Sequence, residues 1–228
     1  MSKKEAIIVL GKPGSGKGTQ AKLLADKLGF FHFLTSKIGK EFITSHDDPE
    51  TKKQEDNYKA GVLFDPAWIF GVVIKKTKEI LESYSGVVYD GSPRTLYEAE
   101  RFLPFLSEAV GKDNIIVFEI KVLDEELKKR LVKRLVCAAD AEHVFISSEK
   151  LKTGDQCPEG DGILKIRDLD DQNIFKVRIS EHYTRVVPAI DYLRKNYCFF
   201  SINGEQPIED VHKDISEIYD NRKNKREN

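Results

Sequence analysis

Short apolar runs alternate with amphipathic stretches along the chain. Five runs are almost continuously apolar, which is typical of strands covered on both faces of a parallel sheet. We therefore predict buried strands at residues 6–10, 30–34, 86–90, 115–120 and 198–202. Between them apolar residues recur at helical spacing, as in the stretch 21–28, which Gly29 is expected to cap. This alternation predicts an α/β fold, a five-stranded parallel sheet flanked by helices.

The stretch 124–135 has clear helical spacing. Leu127, Leu131 and Leu135 recur every four residues, and Asp124 stands where a capping residue is expected. Arg130 and Arg134 would then lie on one face of this helix, because residues four apart are neighbours. The alternative, that both arginines only solvate the helix surface, is equally consistent with the pattern.

Three parts of the chain depart from the alternation. Residues 35–66 are polar and predicted to be helical, inserted between the second and third strands. Residues 136–170 are rich in Gly, Asp and Ser with short β-favouring runs, and we predict a small excursion from the core. Residues 221–228 lack an apolar anchor and are expected to be a disordered tail. The core domain would consist of residues 1–34, 67–135 and 171–220.

Composition narrows the classes of function. Lys and Arg total 37 against 38 Asp and Glu, so the net charge of −1 argues against a generally basic, nucleic-acid-binding surface. No apolar run approaches the ~20 residues of a membrane span, and the start of the chain lacks the pattern of a secretory signal. The 3 cysteines, an odd number, argue against a disulfide framework and favour the reducing cytoplasm.

A glycine-rich motif joins the first predicted strand to the first predicted helix. Gly11, followed by four residues and then by Gly16 and Lys17, fits a phosphate-binding loop. Glycines let backbone N–H groups approach phosphate oxygens, and the helix N-terminus adds partial positive charge. The usual Ser or Thr after the lysine is Gly18 here, so a hydroxyl arrives only at Thr19. An ordinary glycine-rich turn is the alternative, but the strand–loop–helix context favours a nucleoside triphosphate site.

Two motifs together resemble a known family. Residues 11–20 resemble the phosphate loop of adenylate kinases, and Asp90-Gly91-Ser92-Pro93-Arg94-Thr95 resembles their Asp-Gly-Phe-Pro-Arg-Thr signature. The resemblance extends from the first strand to the last helix. It implies that residues 35–66 are the insertion that binds a nucleoside monophosphate (NMP), and that residues 136–170 are a lid of the long form.

The resemblance also implies an activity, a cofactor and a set of site residues. The protein would transfer the γ-phosphoryl group of ATP reversibly to an NMP, AMP before others, as a cytoplasmic monomer using Mg²⁺ that Thr19 and Asp90 hold partly through water. The implied catalytic residues are Lys17, Arg94, Arg134, Arg167 and Arg178. The implied ATP-binding residues are Gly14, Ser15, Gly16, Lys17, Gly18, Thr19, Arg130 and Arg134. The implied NMP-binding residues are Thr35, Lys40, Gly61, Val62, Gly91, Arg94, Glu98, Arg167 and Arg178.

The acceptor side departs from the family pattern. Lys40 replaces an arginine, and Glu98 replaces the glutamine that reads the adenine edge; other departures are Ser36, Lys37 and Ser92. An ionised glutamate only accepts hydrogen bonds, which would suit the two donors of guanine. One hypothesis is therefore an acceptor shifted towards GMP or another NMP; the alternative is that Glu98 points to solvent and that backbone groups near Gly61 and Val62 read the base. A weakly active nucleotide-binding regulatory module is a further alternative, which the retained arginines oppose.

The predicted lid also poses a metal question. Long lids of the family often carry four metal ligands, and the matching positions here are Cys137, Asp140, Cys157 and Gly160. Two thiolates and a carboxylate could bind Zn²⁺, but glycine supplies no ligand, which argues against the metal. Glu159, Asp161 or His143 could substitute after a local shift, or the two thiols could pack in a small apolar core.

Overall fold

A computed structural model describes residues 4–140 and 142–227. Its main sheet has the strand order β2-β3-β1-β4-β8, and every pairing in it is parallel. The strands and helices, in chain order, are β1 Glu5–Gly11, α1 Lys17–Leu28, β2 Phe31–Leu34, α2 Thr35–Thr44, α3 Pro49–Ala60, α4 Pro66–Ser83, β3 Gly86–Asp90, α5 Leu96–Val110, β4 Ile115–Lys121, α6 Asp124–Lys133, β5 Arg134–Cys137, β6 Val144–Ile146, β7 Leu164–Ile166, α7 Gln172–Glu181, α8 Val187–Asn196, β8 Cys198–Asn203 and α9 Ile208–Glu227.

The five predicted strands are confirmed as β1, β2, β3, β4 and β8, with ends that differ by no more than one residue. They were predictable because helices cover both faces of the sheet, so that successive residues of a strand are all buried. On β1, Ile8 packs with residues of α4, α5 and α8, while Ile7 packs with residues of α1 and α9. Both isoleucines are 0% exposed.

The strand order determines where a ligand can bind. β1 has β3 on one side and β4 on the other. The connection that leaves β1 runs past β3 to β2, whereas the connection that leaves β3 runs the opposite way, past β1 to β4. The carboxyl ends of β1 and β3 therefore lie side by side at the point where the strand order reverses, which is the usual ligand crevice of such sheets. The glycine-rich loop follows β1, and Gly91 follows β3 directly.

A second, smaller sheet covers residues 134–166. It is antiparallel, with the order β6-β5-β7. Leu135, Cys137, Cys157 and Leu164 form its buried core, with Phe145 and Leu151 packed against them.

The structure corrects the prediction of one long helix through residue 135. α6 ends at Lys133, and Arg134 begins β5, so Arg130 and Arg134 do not share a helix face. Leu135 is buried in the core of the small sheet instead. The four-residue spacing continued into the strand by coincidence, and packing against Leu164 overrode it. Asp124 is also not the capping residue: it is the first residue of α6, and its carboxylate accepts hydrogen bonds from Lys12 and Tyr183.

The predicted disordered tail is wrong over the described residues, because α9 continues to Glu227. Contacts with the core hold this helix where the sequence offers no apolar anchor. Just before the predicted tail, Tyr219 donates a hydrogen bond to Glu5 and Lys27 pairs with Asp220; within it, Arg222 donates to the backbone oxygen of Asp113. None of the described helices combines the length and the apolar character needed to cross a membrane.

Candidate active site

The glycine-rich loop turns tightly between β1 and α1. Gly14 and Gly16 have φ angles of 88° and 91°, in the left-handed region that glycine adopts without strain. α1 begins at Lys17, so the loop leads directly into a helix N-terminus, which favours negative charge. The Ser15 hydroxyl is buried and has no hydrogen-bond partner among the described residues. The loop therefore has the geometry and the spare polar group of an anion site.

Asp90, the last residue of β3, lies against this loop. A Cβ atom at Gly18 would stand 2.9 Å from Asp90 Oδ2, which explains why a side chain is missing directly after the lysine. Burial by itself would raise the pKa of Asp90, but His32, Lys17 and Arg94 outweigh it and hold the pKa below its ordinary value. An ionised carboxylate beside a phosphate loop, with the hydroxyl residue Thr19 in the first turn of α1, suits a hard cation such as Mg²⁺.

A cleft of about 490 Å³ opens at this edge of the sheet, and cations dominate its polar lining. Lys17, Arg94 and Arg178 all line it. Desolvation, together with repulsion from the arginines, lowers the pKa of Lys17 to about 7. Desolvation and the nearby Arg167 and Arg134 lower the pKa of Arg178 to about 9. Burial and mutual repulsion both disfavour the charged forms of these side chains, so an anion that pairs with them would favour the charged forms.

Asp170 links two of the predicted phosphate-binding arginines. Its side chain is 1% exposed. Arg134 holds the carboxylate with Nε and Nη2, and Arg178 Nη1 lies 3.3 Å from Oδ1. The guanidinium of Arg134 is thus brought to the cluster by β5 and fixed there by a carboxylate, although α6 does not carry it. The sequence pattern gave no reason to assign a role to Asp170.

Arg130 lies apart from this cluster, near the end of β8. Its Nη2 donates to the backbone oxygen of Gly204 at 2.7 Å, and its Nε donates to Glu126 at 3.0 Å. The structure therefore joins Arg130 to the turn that follows β8.

The predicted acceptor residues divide into two groups. Thr35 is buried, and its hydroxyl lies 3.1 Å from both the backbone oxygen of Asp90 and the hydroxyl of Ser92, so it braces the end of β3. Gly61 lines the cleft at the end of α3, followed by Val62. Lys40 instead is an exposed residue whose ammonium lies 5.6 Å from the centroid of the Tyr58 ring.

Glu98 is buried, which excludes the alternative that it points to solvent. It is 4% exposed. Its Oε1 accepts from the Thr95 hydroxyl at 2.8 Å, and its Oε2 accepts from the backbone N–H of Arg94 at 3.3 Å. Burial raises the pKa of Glu98 above its ordinary value, although these hydrogen bonds and the nearby Arg94 and Arg185 oppose the shift. Beside it, Phe70, Phe102 and Pro93 line a narrow gap.

The sequence pattern gave no indication that Glu181 and His182 line the cleft. His182 lines the cleft, and desolvation together with Lys17 and Lys12 lowers its pKa to about 4, so its ring stays neutral near pH 7. Glu181 accepts a hydrogen bond from the backbone N–H of Leu63 at 3.0 Å, which ties α7 to the chain after α3. A five-residue π-helical turn that begins at His182 follows α7; such turns are frequent at functional sites, but no local pattern announces one.

The small sheet brings three candidate metal ligands together. The ligand atoms of Cys137, His143 and Cys157 all lie within 4.8 Å of one another. Asp140, predicted as a ligand, is not in this group; its carboxylate lies 3.8 Å from His143 Nε2. A Cβ atom at Gly160 would stand 3.3 Å from the His143 ring, so the histidine fills the space that a side chain at position 160 would need. The β5–β6 pairing, which sequence spacing does not reveal, places His143 there.

Comparison with known proteins gives consistent results. Residues 9–198 match the family model for adenylate kinase. The chain is 33% identical to an adenylate kinase of Methanothrix thermoacetophila, over 93% of this chain and 97% of that protein. It is 32% identical to one from Rickettsia africae, again over 93% and 97%. It is 30% identical to one from Streptomyces avermitilis, over 90% of this chain and 92% of that protein.

Proposed function

The chain belongs to the adenylate kinase family, and from that premise we propose that it transfers the γ-phosphoryl group of Mg-ATP reversibly to AMP. Family membership makes it a phosphotransferase that acts on nucleoside monophosphates; AMP as the acceptor is the further step. The observation that supports the proposal most directly is the crowding of Lys17, Arg94 and Arg178 around one cleft beside the phosphate loop. Catalysis of phosphoryl transfer is mostly positioning and charge stabilisation, which such a cluster can supply.

The site residues have distinct proposed roles. Lys17 and the loop amides of residues 14–18 hold the donor phosphates, while Arg94 holds the acceptor phosphate. Arg167 and Arg178, with Arg134 held by Asp170, stabilise the transferring group. An oxygen of the acceptor phosphate attacks the γ-phosphorus as the bond to the ADP oxygen breaks. That oxygen is already ionised, so no side chain has to remove a proton.

Two further roles in this proposal concern Mg²⁺ and Arg130. Asp90 and Thr19 would hold Mg²⁺ partly through water, and the cation would neutralise charge on the donor phosphates. The lowered pKa of Asp90 supports this role, because an ionised carboxylate is needed there. Arg130, bonded to Gly204, would lie on the adenine side of the donor.

The division of the chain into parts is also a proposal. Residues 35–66 would form the acceptor segment, residues 136–170 the lid segment, and residues 1–34, 67–135 and 171–220 the core. Closing both segments over the cleft would exclude water, which otherwise would take the phosphoryl group. Each segment needs freedom to move, so we expect a monomer.

A coupled assay of ADP formation tests the activity. With Mg-ATP and AMP, the wild-type protein should turn over at least about 100 times faster than Lys17→Ala, since that variant loses a charge aimed at the transferred phosphates. GMP, CMP and UMP are run beside AMP. Turnover no faster than in Lys17→Ala with all four acceptors would refute the kinase proposal and favour a regulatory nucleotide-binding module.

One observation favours GMP as a second candidate acceptor. Glu98 is buried, and its two oxygens accept hydrogen bonds, so when ionised it can bind only the donors of a base. The substitution Glu98→Gln should then lower the ratio of GMP to AMP turnover by about ten-fold or more, because one well-placed hydrogen-bond partner is worth that much. An unchanged ratio would show that Glu98 does not read the base and only holds the start of α5 through Thr95 and Arg94.

We also propose that the lid segment binds Zn²⁺ through Cys137, His143 and Cys157. His143 Nδ1 lies 3.6 Å from Cys157 Sγ, while its Nε2 faces Asp140 and Glu159, as metal-bound histidines usually face a carboxylate. The fourth position of a tetrahedral site is left to water. Metal analysis of protein purified with reductant should give one Zn²⁺ per chain. The zinc content should fall in His143→Ala. It should persist in Cys198→Ser, because Cys198 lies on β8 and not in the small sheet. No zinc in the wild type, even after reconstitution, would leave the thiols as simple core residues.

A further inference from the structure

Glu142 makes contacts that reach far outside its own segment. Its Oε1 accepts a hydrogen bond from Lys37 Nζ, 105 residues earlier in the chain. Its Oε2 lies 3.6 Å from His32 Nδ1. Glu142 precedes β6, Lys37 is on α2, and His32 is on β2. One carboxylate therefore touches both the acceptor segment and the core.

The second contact points to the reacting site. His32 Nε2 lies 3.8 Å from Asp90 Oδ2, so the His32 ring stands between two carboxylates, those of Glu142 and Asp90. The His32 side chain is 15% exposed and the Glu142 side chain 19% exposed. Partial burial restricts the orientations that Glu142 can adopt. Its carboxylate is therefore held where it can meet Lys37.

Neither Glu142 nor Lys37 has another assigned task. Lys37 is 53% exposed, does not line the cleft and makes no contact with the phosphate loop among the contacts described. Its pairing partner comes from the other segment rather than from its own helix, whereas most lysines near it on α3 pair within that helix or its cap. The charge at position 37 is thus best explained by its partner on the lid segment, Glu142.

Resting on the proposed function for the roles of the two segments, we propose that Glu142 is a positioning residue that ties the lid segment directly to the acceptor segment through Lys37. The tie lets each segment favour closure of the other without a nucleotide between them. Because the pair is half-exposed, its effect is modest: we expect it to favour the closed arrangement about two- to five-fold.

A charge-swap cycle tests the tie. The variants are Lys37→Glu, Glu142→Lys and the two together, which restores an ion pair with the charges exchanged. Lys165→Glu is the matched control: it reverses a lysine of the lid segment that pairs with Asp168 inside the same segment, at 3.0 Å. Circular dichroism and urea midpoints verify that each variant folds.

The main readout is the distance between dyes on exposed positions of the two segments, Lys53 and Lys150, attached through a non-natural amino acid so that the cysteines stay intact. Each single reversal should lower the ligand-free closed fraction two- to five-fold. The double variant should recover to within about 1.5-fold of the wild-type fraction. Lys165→Glu should have the same closed fraction as the wild type. In rate measurements, KM for both nucleotides should rise by the same factor, with kcat changed less than two-fold.

The opposite results would overturn the proposal. If the closed fraction of the double variant is no higher than that of the lower single variant, no specific tie exists. The same follows if Lys165→Glu lowers the closed fraction as much as the single reversals do. The distance measurement does not depend on turnover. A protein that closes as expected but makes no ADP would therefore refute the proposed function and leave the tie supported.

Discussion

Binding of Mg-ATP at pH 8 should be accompanied by protonation of Lys17. In the ligand-free protein, desolvation and neighbouring arginines lower the pKa of Lys17 to about 7. At pH 8 only about a tenth of the molecules then carry the ammonium form. Bound phosphates place several negative charges beside Lys17, which favours that form and moves the pKa back towards its ordinary value of about 10.4. Binding should therefore take up about 0.9 proton at pH 8 and about 0.1 proton at pH 6.

Isothermal titration calorimetry measures this uptake. Mg-saturated ATP is titrated into the protein in buffers that differ in ionisation enthalpy, and the slope of observed enthalpy against buffer enthalpy gives the number of protons. Lys17→Arg is the matched control, because a guanidinium stays charged and has no proton to gain. Arg178, whose pKa is lowered to about 9, adds no more than about 0.1 proton in either protein at pH 8.

The result that would refute this reasoning is specific. If the wild type takes up fewer than about 0.3 protons at pH 8, Lys17 is already charged before ATP binds, and desolvation does not determine its pKa. Equal uptake by Lys17→Arg would assign the proton to another group.

Three other predictions concern the site and the core. Gly18→Ala should lower kcat about 10- to 100-fold and raise the Mg²⁺ concentration needed for half-maximal rate, because its Cβ displaces Asp90. Leu103→Ala, at a fully buried position, should cost about 2–5 kcal/mol in urea unfolding, whereas Val132→Ala, at an 82% exposed position, should stay within about 0.5 kcal/mol. His182 has a folded pKa of about 4, below the unfolded 6.5, so the folded state binds fewer protons between these values. Stability should therefore fall as pH drops from 6.5 to 4, and a flat urea midpoint over that range, or an unchanged slope in His182→Asn, would contradict this.

The sequence was sufficient for those features that local burial dictates. Strands covered on both faces are apolar almost throughout, so β1, β3 and β4 could be predicted from apolar runs in the sequence alone. A phosphate loop needs glycine at set positions between a strand and a helix, and residues 11–19 met every one of those requirements.

Local spacing could not predict where α6 ends, because the same leucine spacing fits a longer helix or a helix followed by a strand. Leu127, Leu131 and Leu135 recur every four residues, yet only the first two lie on α6. Leu135 could satisfy its burial in a helix or in a strand, and the small sheet offered the partner, Leu164. Only the tertiary structure could decide between these alternatives, because the partner lies 29 residues further along the chain.

Contacts between residues far apart in the chain could likewise not be predicted from the sequence. The β5–β6 pairing placed His143 beside Cys137 and Cys157, and the turn before β6 placed Glu142 beside Lys37. The sequence by itself determined the fold class and the phosphate loop, since backbone geometry and burial act on neighbours along the chain. The tertiary structure alone decided which charges and ligands meet, since that depends on strand order and on how the segments pack in space.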